Sequence, residues 1–326
     1  MRALLTLWLL PSIVLAGTPA SEPLDGVWTG TLGKTPIVAC FDHSRHGTYY
    51  YLRLGFDLEL EPNAGGHGWS EKSGDEVTGD WSLDDVKGGV VHGVWKTADG
   101  KKQLPLELKR TASLTDTGCP EPAYESARLE AVVRTSGAET TTSGHAWKPV
   151  TFARGALKSV ELTDPKASKA LKDAVAAVTT QHLKSYFGCR SSPRSSFSSE
   201  DRIIAWTNTL LVLELHESYY CGGAYPDEAD GAHTFDVVTG KELDTDAWFK
   251  TSPADLATKQ YKPPFEQCAT DDLNWVTHPS PRGLVFRQDL PHVAKACDVE
   301  VVIPWSKLTS RLTPKGLEAI KGLPSP

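Results

Sequence analysis

Six cysteines, ten histidines and one loop rich in glycine and tyrosine hold most of the residues here that are able to do chemistry. The cysteines are Cys40, Cys119, Cys189, Cys221, Cys268 and Cys297, and no two form a C-x-x-C pair. A zinc ribbon or a thioredoxin-type centre is therefore not expected. An even number of widely spaced cysteines suits bridges in an oxidising compartment. If the two halves of the chain do not cross-link, Cys40 pairs with Cys119. The other four then pair in any of three ways, of which Cys189–Cys221 with Cys268–Cys297 is favoured. Bridged cysteines leave no thiolate for a Cys–His nucleophile, and no Gly-x-Ser-x-Gly elbow occurs.

His43 and His46 lie three apart in a segment with strand character, where side chains at that spacing point to opposite faces. With His67 and His92 elsewhere in the same half, they predict no metal centre. Asp227, Glu228 and Asp230 read as solvated loop charge, because they lack the spacing of a calcium-binding loop. No cofactor is expected. Gly222 and Gly223, with Pro226 close behind, predict a tight turn, and Tyr219, Tyr220 and Tyr225 surround it. Clustered aromatics at a turn are good contact material, so Tyr219, Tyr220, Gly222, Gly223, Tyr225 and Pro226 form the candidate binding loop. Asp236, Thr239 and Gly240 read as turn-formers, the carboxylate capping turn amides.

The chain begins with Met1-Arg2 and an apolar run from Ala3 to Ala16, too short to cross about 30 Å of hydrocarbon as a helix. This predicts a signal peptide over 1–16, with 20 as the alternative end, and an exported, periplasmic or extracellular product without a membrane span. Between Ser21 and Glu125 there are 17 acidic and 10 basic residues. From Ser126 onward the two signs nearly balance. The scarcity of clustered Lys and Arg argues against nucleic acid as a partner, and an acidic half suits a basic one.

The elements that must position these residues differ between the halves. Over 21–125, short β-rich runs alternate with turns such as Gly65-Gly66, Gly88-Gly89 and Asp99-Gly100, predicting an antiparallel sandwich or small barrel. Gly26-Val27-Trp28, Gly79-Asp80-Trp81 and Gly93-Val94-Trp95 repeat a Gly-x-Trp unit, each reading as a strand start bent under an indole. Residues 126–155, rich in Thr, Ser and Gly, read as a connector with some strand. In 156–326 a helical period runs from Lys166 to Tyr186, followed by one long strand over Ile203 to Leu215 and further strands at 234–238, 283–287 and 299–303. The expected class is α+β overall, the second half an antiparallel sheet with flanking helices.

The second half carries four blocks in order. They are Glu217 to Pro226, Phe235-Asp236-Val237-Val238-Thr239-Gly240-Lys241, Gly283-Leu284-Val285-Phe286, and Val301-Val302-Ile303-Pro304-Trp305 running on to Leu308. This series, over about 160–312, resembles the exported C-terminal domain of RsiV and PdaC, a domain of unknown function. Tyr225 stands where histidine is common in that family, and Trp305 where tyrosine is common. The RsiV branch is similar to a receptor for lysozyme, so the resemblance implies lysozyme, another basic protein or peptidoglycan as partner. The combined expectation is a non-catalytic, exported cell-envelope binding protein. The alternatives are a hydrolase of envelope polymers, which would need a deep pocket with perturbed carboxylates or histidines, and a structural envelope protein with no small-molecule site.

Overall fold

A computed structural model describes residues 22–63, 68–115, 118–120, 122–189, 194–269, 273–288, 290 and 292–323. The predicted signal peptide, His67, and the Gly65-Gly66 turn lie outside the described residues.

The first half is a closed, antiparallel, up-and-down barrel. Its strands are β1 (Gly26–Leu32), β2 (Thr35–Phe41), β3 (Gly47–Tyr51), β4 (Asp57–Pro62), β5 (Gly68–Ser73), β6 (Glu76–Leu83), β7 (Val90–Thr97) and β8 (Gln103–Ala112). Pairing of β1 with β8, with Trp28 opposite Arg110, closes the ring and removes both sheet edges. Of the two architectures expected, the barrel is therefore the one present. Alternation sends Trp28, Phe41, Tyr49, Trp69, Trp81 and Trp95 inward, where they pack with Ile37, Leu60, Val91, Leu106 and Leu108. Gly26 opens β1 with φ of 134°, as expected of a Gly-x-Trp unit, whereas Gly79 and Gly93 lie within strands. Gly79 lies inside β6, and a Cβ there would sit 2.5 Å from the Trp95 indole nitrogen, so the glycine makes room for the ring.

α1 (Pro122–Glu130) packs on the outside of the barrel, tied close by the Cys40–Cys119 bridge. Its Arg128, almost wholly buried, pairs with Asp57 and lies 4.6 Å from the Tyr50 ring and 5.4 Å from Phe187 of the next helix. The arginine thereby joins barrel and second half.

Residues 126–155 are more than a connector. They end α1 and supply β9 (Thr135–Ser136), β10 (Thr140–Thr142) and β11 (His145–Phe152) to the second sheet. Their threonines are β-branched and suit strands. β12 (Leu157–Leu162), α2 (Lys169–Cys189), β13 (Ser196–Trp206), β14 (Leu210–Tyr220) and β15 (Asp227–Asp236) follow. α2 carries the chain back across the sheet, so β12 and β13 pair in parallel while the other pairings are antiparallel. The long strand expected over Ile203–Leu215 is two strands, β13 and β14, broken at Thr207, whose hydroxyl accepts from the Thr209 and Leu210 amides. Leu171, Val175 and Val178 of α2 pack on Trp206, Leu211, Leu213 and Phe235.

A third sheet holds β16 (Trp275–Ser280), β17 (Gly283–Gln288) and β18 (Val301–Ile303). α3 (Ala254–Gln260) and α4 (Trp305–Leu308) pack on it, and α5 (Pro314–Ile320) closes the chain. Among the described residues no helix is long and apolar enough to cross a membrane.

Candidate binding site

Two edge strands face one another across a cleft. β15 ends the large sheet and β16 ends the small one. Between them lies a cavity of about 370 Å³ lined by Tyr219, residues 227–230, Val276, Arg287, Gln288, Leu290, Lys295 and Asp298. A narrower recess continues inward past Glu214, Gly231 and His278.

Each wall is fixed by a disulfide. On the β15 side the hairpin tip begins at Cys221, bonded to Cys189 at the end of α2. On the other side Cys297, bonded to Cys268, holds the short 3-10 helix His292–Cys297 that carries Lys295 and leads into Asp298. With Cys40–Cys119, these are the pairings favoured from the sequence, and no free cysteine remains.

Charge is distributed unevenly along the cleft. Asp230 receives the His216 ring at 2.6 Å and has the Arg287 and Lys295 cations at 3.5 and 3.8 Å, so its charge is met within the protein. Arg287 also donates to Glu300 at 3.1 Å, and Glu300 pairs in turn with Arg282. Burial opposes the charges of both Arg287 and Glu300, but their mutual contact prevails: the arginine is held above its ordinary value and the carboxylate below its own. His278 is pushed down to about 4, first by burial and then by the Arg287 and Arg282 charges against the pull of Glu300, which keeps it neutral near pH 7.

Among the described residues, three buried polar atoms here have no hydrogen-bond partner. They are Nε of Arg287, Nε2 of Gln288 and Oδ1 of Asp298. Gln288 is only 4 % exposed. A buried amide without a hydrogen bond costs about 1–3 kcal/mol, so such groups are uncommon unless something else satisfies them. The residues that carry these two donors and one acceptor all line the cleft, each of the atoms itself being shielded from solvent.

The residues expected to form the binding loop occupy the β14–β15 hairpin above this cleft. Tyr219 reaches it and stacks on Phe197 at 6.1 Å. Its hydroxyl is raised above its usual range by burial and by Asp227 and Glu217. Tyr220 donates to the Gly223 carbonyl and shapes the tip. Gly222 and Gly223 hold φ of 105° and 103°, while a Cβ on either would touch nothing, so the demand for glycine is conformational. Tyr225, 66 % exposed, stands at the tip beside Pro226, away from the lining. Asp227, Glu228 and Asp230, expected in a solvated loop, lie instead on β15. Edge strands commonly carry charge that discourages pairing with other chains, which accounts for the strand's acidic composition. Asp236 accepts from the Val238 and Thr239 amides and from the Thr239 hydroxyl, and Gly240 packs against the Ala170 carbonyl at the start of α2.

Two other polar clusters offer chemistry. Inside the barrel, Glu71 accepts from Tyr49 at 2.7 Å, Thr78 at 2.6 Å, Trp81 at 3.0 Å and Trp95 at 2.7 Å. Under α2, His182 bonds Asp201 at 2.9 Å and Glu217 at 2.7 Å, and Ser159 donates to the other Asp201 oxygen. Serine, histidine and aspartate are all present, yet the hydroxyl meets the carboxylate and not the imidazole. No nucleophile–base pair exists, and the cluster is buried. Burial opposes the imidazolium, but hydrogen bonds to Asp201 and Glu217 raise His182 to about 9. Of the histidines weighed as metal ligands and not expected to be so, His43 pairs with Asp25 and His92 is exposed on β7. Among the described residues no group of three or more His, Cys, Asp or Glu is arranged to hold a metal ion.

Sequence reasoning found the hairpin but missed Arg287, Gln288, Lys295 and Asp298. The one available signal was Cys297, which marks the second wall as pinned.

No family model and no curated protein matches the sequence. Among solved structures, the chain is similar to a member of the DUF3298 family from Bacteroides fragilis, with 15% identity over 59% of this chain and 98% of that one and a TM-score of 0.39. It is also similar to a DUF3298 family protein from Pseudomonas aeruginosa PAO1, with 16% identity over 56% of this chain and 92% of that one and a TM-score of 0.33. The neighbours thus belong to a domain family of unknown function, at a likeness that identifies no ligand.

Proposed function

We propose that this is a non-catalytic exported binding protein that takes a polar fragment of the cell envelope, peptidoglycan in the first instance, in the cleft between β15 and β16. The observation that carries the reading is a disulfide-pinned cavity whose lining includes Gln288 and other polar side chains with atoms unpartnered among the described residues. Three bridges suit an exported protein, and the resemblance over 160–312 favours an envelope ligand. The two clusters best suited to acid–base chemistry are buried and internally satisfied, which disfavours the hydrolase alternative. A cavity of about 370 Å³ suits a small fragment better than a protein surface, within the range of about 300–1,000 Å³ usual for ligand sites.

The protein incubated with insoluble peptidoglycan, and separately with immobilised lysozyme, tests this. Co-sedimentation with peptidoglycan that soluble fragments reverse is the expected result. Capture by lysozyme alone would move the site to the exposed hairpin tip around Tyr225, and capture by neither would remove the reading.

A further inference from the structure

We infer that Asp230 is a releasable latch across the mouth of the cleft, and that the two walls stay joined behind it along an apolar seam. The consequence for ligand entry rests on the binding reading above, whereas the latch itself does not.

Each charge at the mouth has a closer partner on its own wall than across the cleft. Asp230 takes the His216 ring at 2.6 Å, from the neighbouring strand of its own sheet. Arg287 lies 3.1 Å from Glu300, which Arg282 also meets at 2.6 Å, all on the opposite wall. Across the cleft, Asp230 faces Arg287 at 3.5 Å and Lys295 at 3.8 Å. These separations exceed the roughly 2.7–3.2 Å of a made hydrogen bond. Among the described residues these two are the salt bridges that cross the mouth, and both are partly open to water, where such pairs are weak and screened by salt. A third contact, Glu214 to His278 at 3.9 Å, lies in the recess and involves an imidazole that is neutral near pH 7. Opening the mouth therefore breaks the long contacts and keeps the short ones, so no charge is stranded.

Deeper in, the joint changes character. Beyond the recess, Ala232 of β15 packs with Leu210, Val212 and Trp248. Phe249 and Trp305 belong both to that cluster and to the core of the third sheet. The Trp305 indole also donates to the Ser280 carbonyl at the end of β16. Apolar packing of this kind does not depend on charge. The walls thus meet through ions at the mouth and through apolar contact at the back, as a clasp and a hinge.

Hydrogen exchange read by mass spectrometry tests the latch. Raising sodium chloride from about 0.05 M to about 0.5 M should speed exchange of peptides covering 227–231 and 275–278 several-fold. Asp230→Asn should do the same at low salt, and Lys295→Gln, which removes one spanning pair, should act in the same direction and less. Peptides from the barrel and around Trp305 should keep their rates, whereas a merely destabilised fold would speed all of them together. Unchanged exchange at the mouth in salt and in both variants, or equal acceleration throughout, would overturn the inference. Soluble disaccharide-peptide fragments should slow exchange at the mouth of the unmodified protein. Their failure to bind, with the salt and variant effects as expected, would remove the binding reading and leave the latch. Binding without those effects would remove the latch and leave the reading.

Discussion

The barrel interior and the cleft both bury polar side chains, and they treat them in opposite ways. Glu71 sits among indoles and phenols with four donors turned toward it, so the low dielectric strengthens every bond it makes. Gln288, at a similar depth, has an amide nitrogen with no hydrogen-bond partner among the described residues. The same contrast holds within the second half. His182 is clasped on both nitrogens, while Asp298, beside a disulfide, has a buried oxygen with no hydrogen-bond partner among the described residues. A satisfied buried group stabilises the fold, and an unsatisfied one withholds stability that a ligand can restore. Unmet buried atoms also occur away from the cleft, at Arg110, Arg128, Thr163, Ser199 and Trp248, so it is their combination with a pinned cavity that sets the cleft apart.

Substitutions probe that separation most strongly in the barrel. Glu71→Ala strands two indole N–H groups and two hydroxyls, and should cost about 3–5 kcal/mol, lowering Tm by roughly 10 °C in a thermal melt, with ligand binding at the cleft unchanged in the folded fraction. Converting both Cys268 and Cys297 to serine should cost about 3 kcal/mol in denaturant unfolding. Unlike the barrel variant, it should also weaken binding, since it frees the wall bearing Lys295 and Asp298.

His182 makes a pH-dependent contribution. Its folded-state value of about 9 lies above the 6.5 of an unrestrained imidazole, so its stabilisation is complete below pH 6.5 and is lost as pH rises through 9. Unfolding free energy should fall by about 3 kcal/mol across that window relative to His182→Gln, which removes the dependence. A flat difference between the two proteins would show that the imidazole is neutral in the fold. The smallest stability effect is expected in the cleft. Gln288→Leu removes an unmet donor and should change stability by less than about 1 kcal/mol while weakening binding, the reverse of the barrel variant.

Much of the barrel was legible because its strands are short, alternating and separated by turn residues. β5 is the least legible of the strands, for a physical reason. Its inward positions are Trp69 and Glu71, and a buried carboxylate breaks the apolar alternation by which strands are read. The junction of β13 and β14 was hidden because Thr207-Asn208-Thr209 contains neither glycine nor proline, the usual markers of a turn. Asp227, Glu228 and Asp230 looked like loop because charge normally signals solvent, whereas an edge strand tolerates charge. The hairpin half of the site was readable from Tyr219 and the glycine pair, since those residues are local. The opposite wall was not, because Arg287, Gln288 and Asp298 become neighbours of β15 only when the two sheets pack, and no local pattern records that.

The central claim is that the unmet groups of the cleft mark a ligand site. Titrating isotope-labelled protein with soluble peptidoglycan fragments tests it directly, by following the Gln288 side-chain amide and the backbone amides of residues 227–230 in proton–nitrogen correlation spectra. These signals should shift together and saturate, with those of the barrel interior unmoved. Saturable shifts confined to the hairpin tip around Tyr225, or to the barrel, with the Gln288 amide unchanged, would contradict the account.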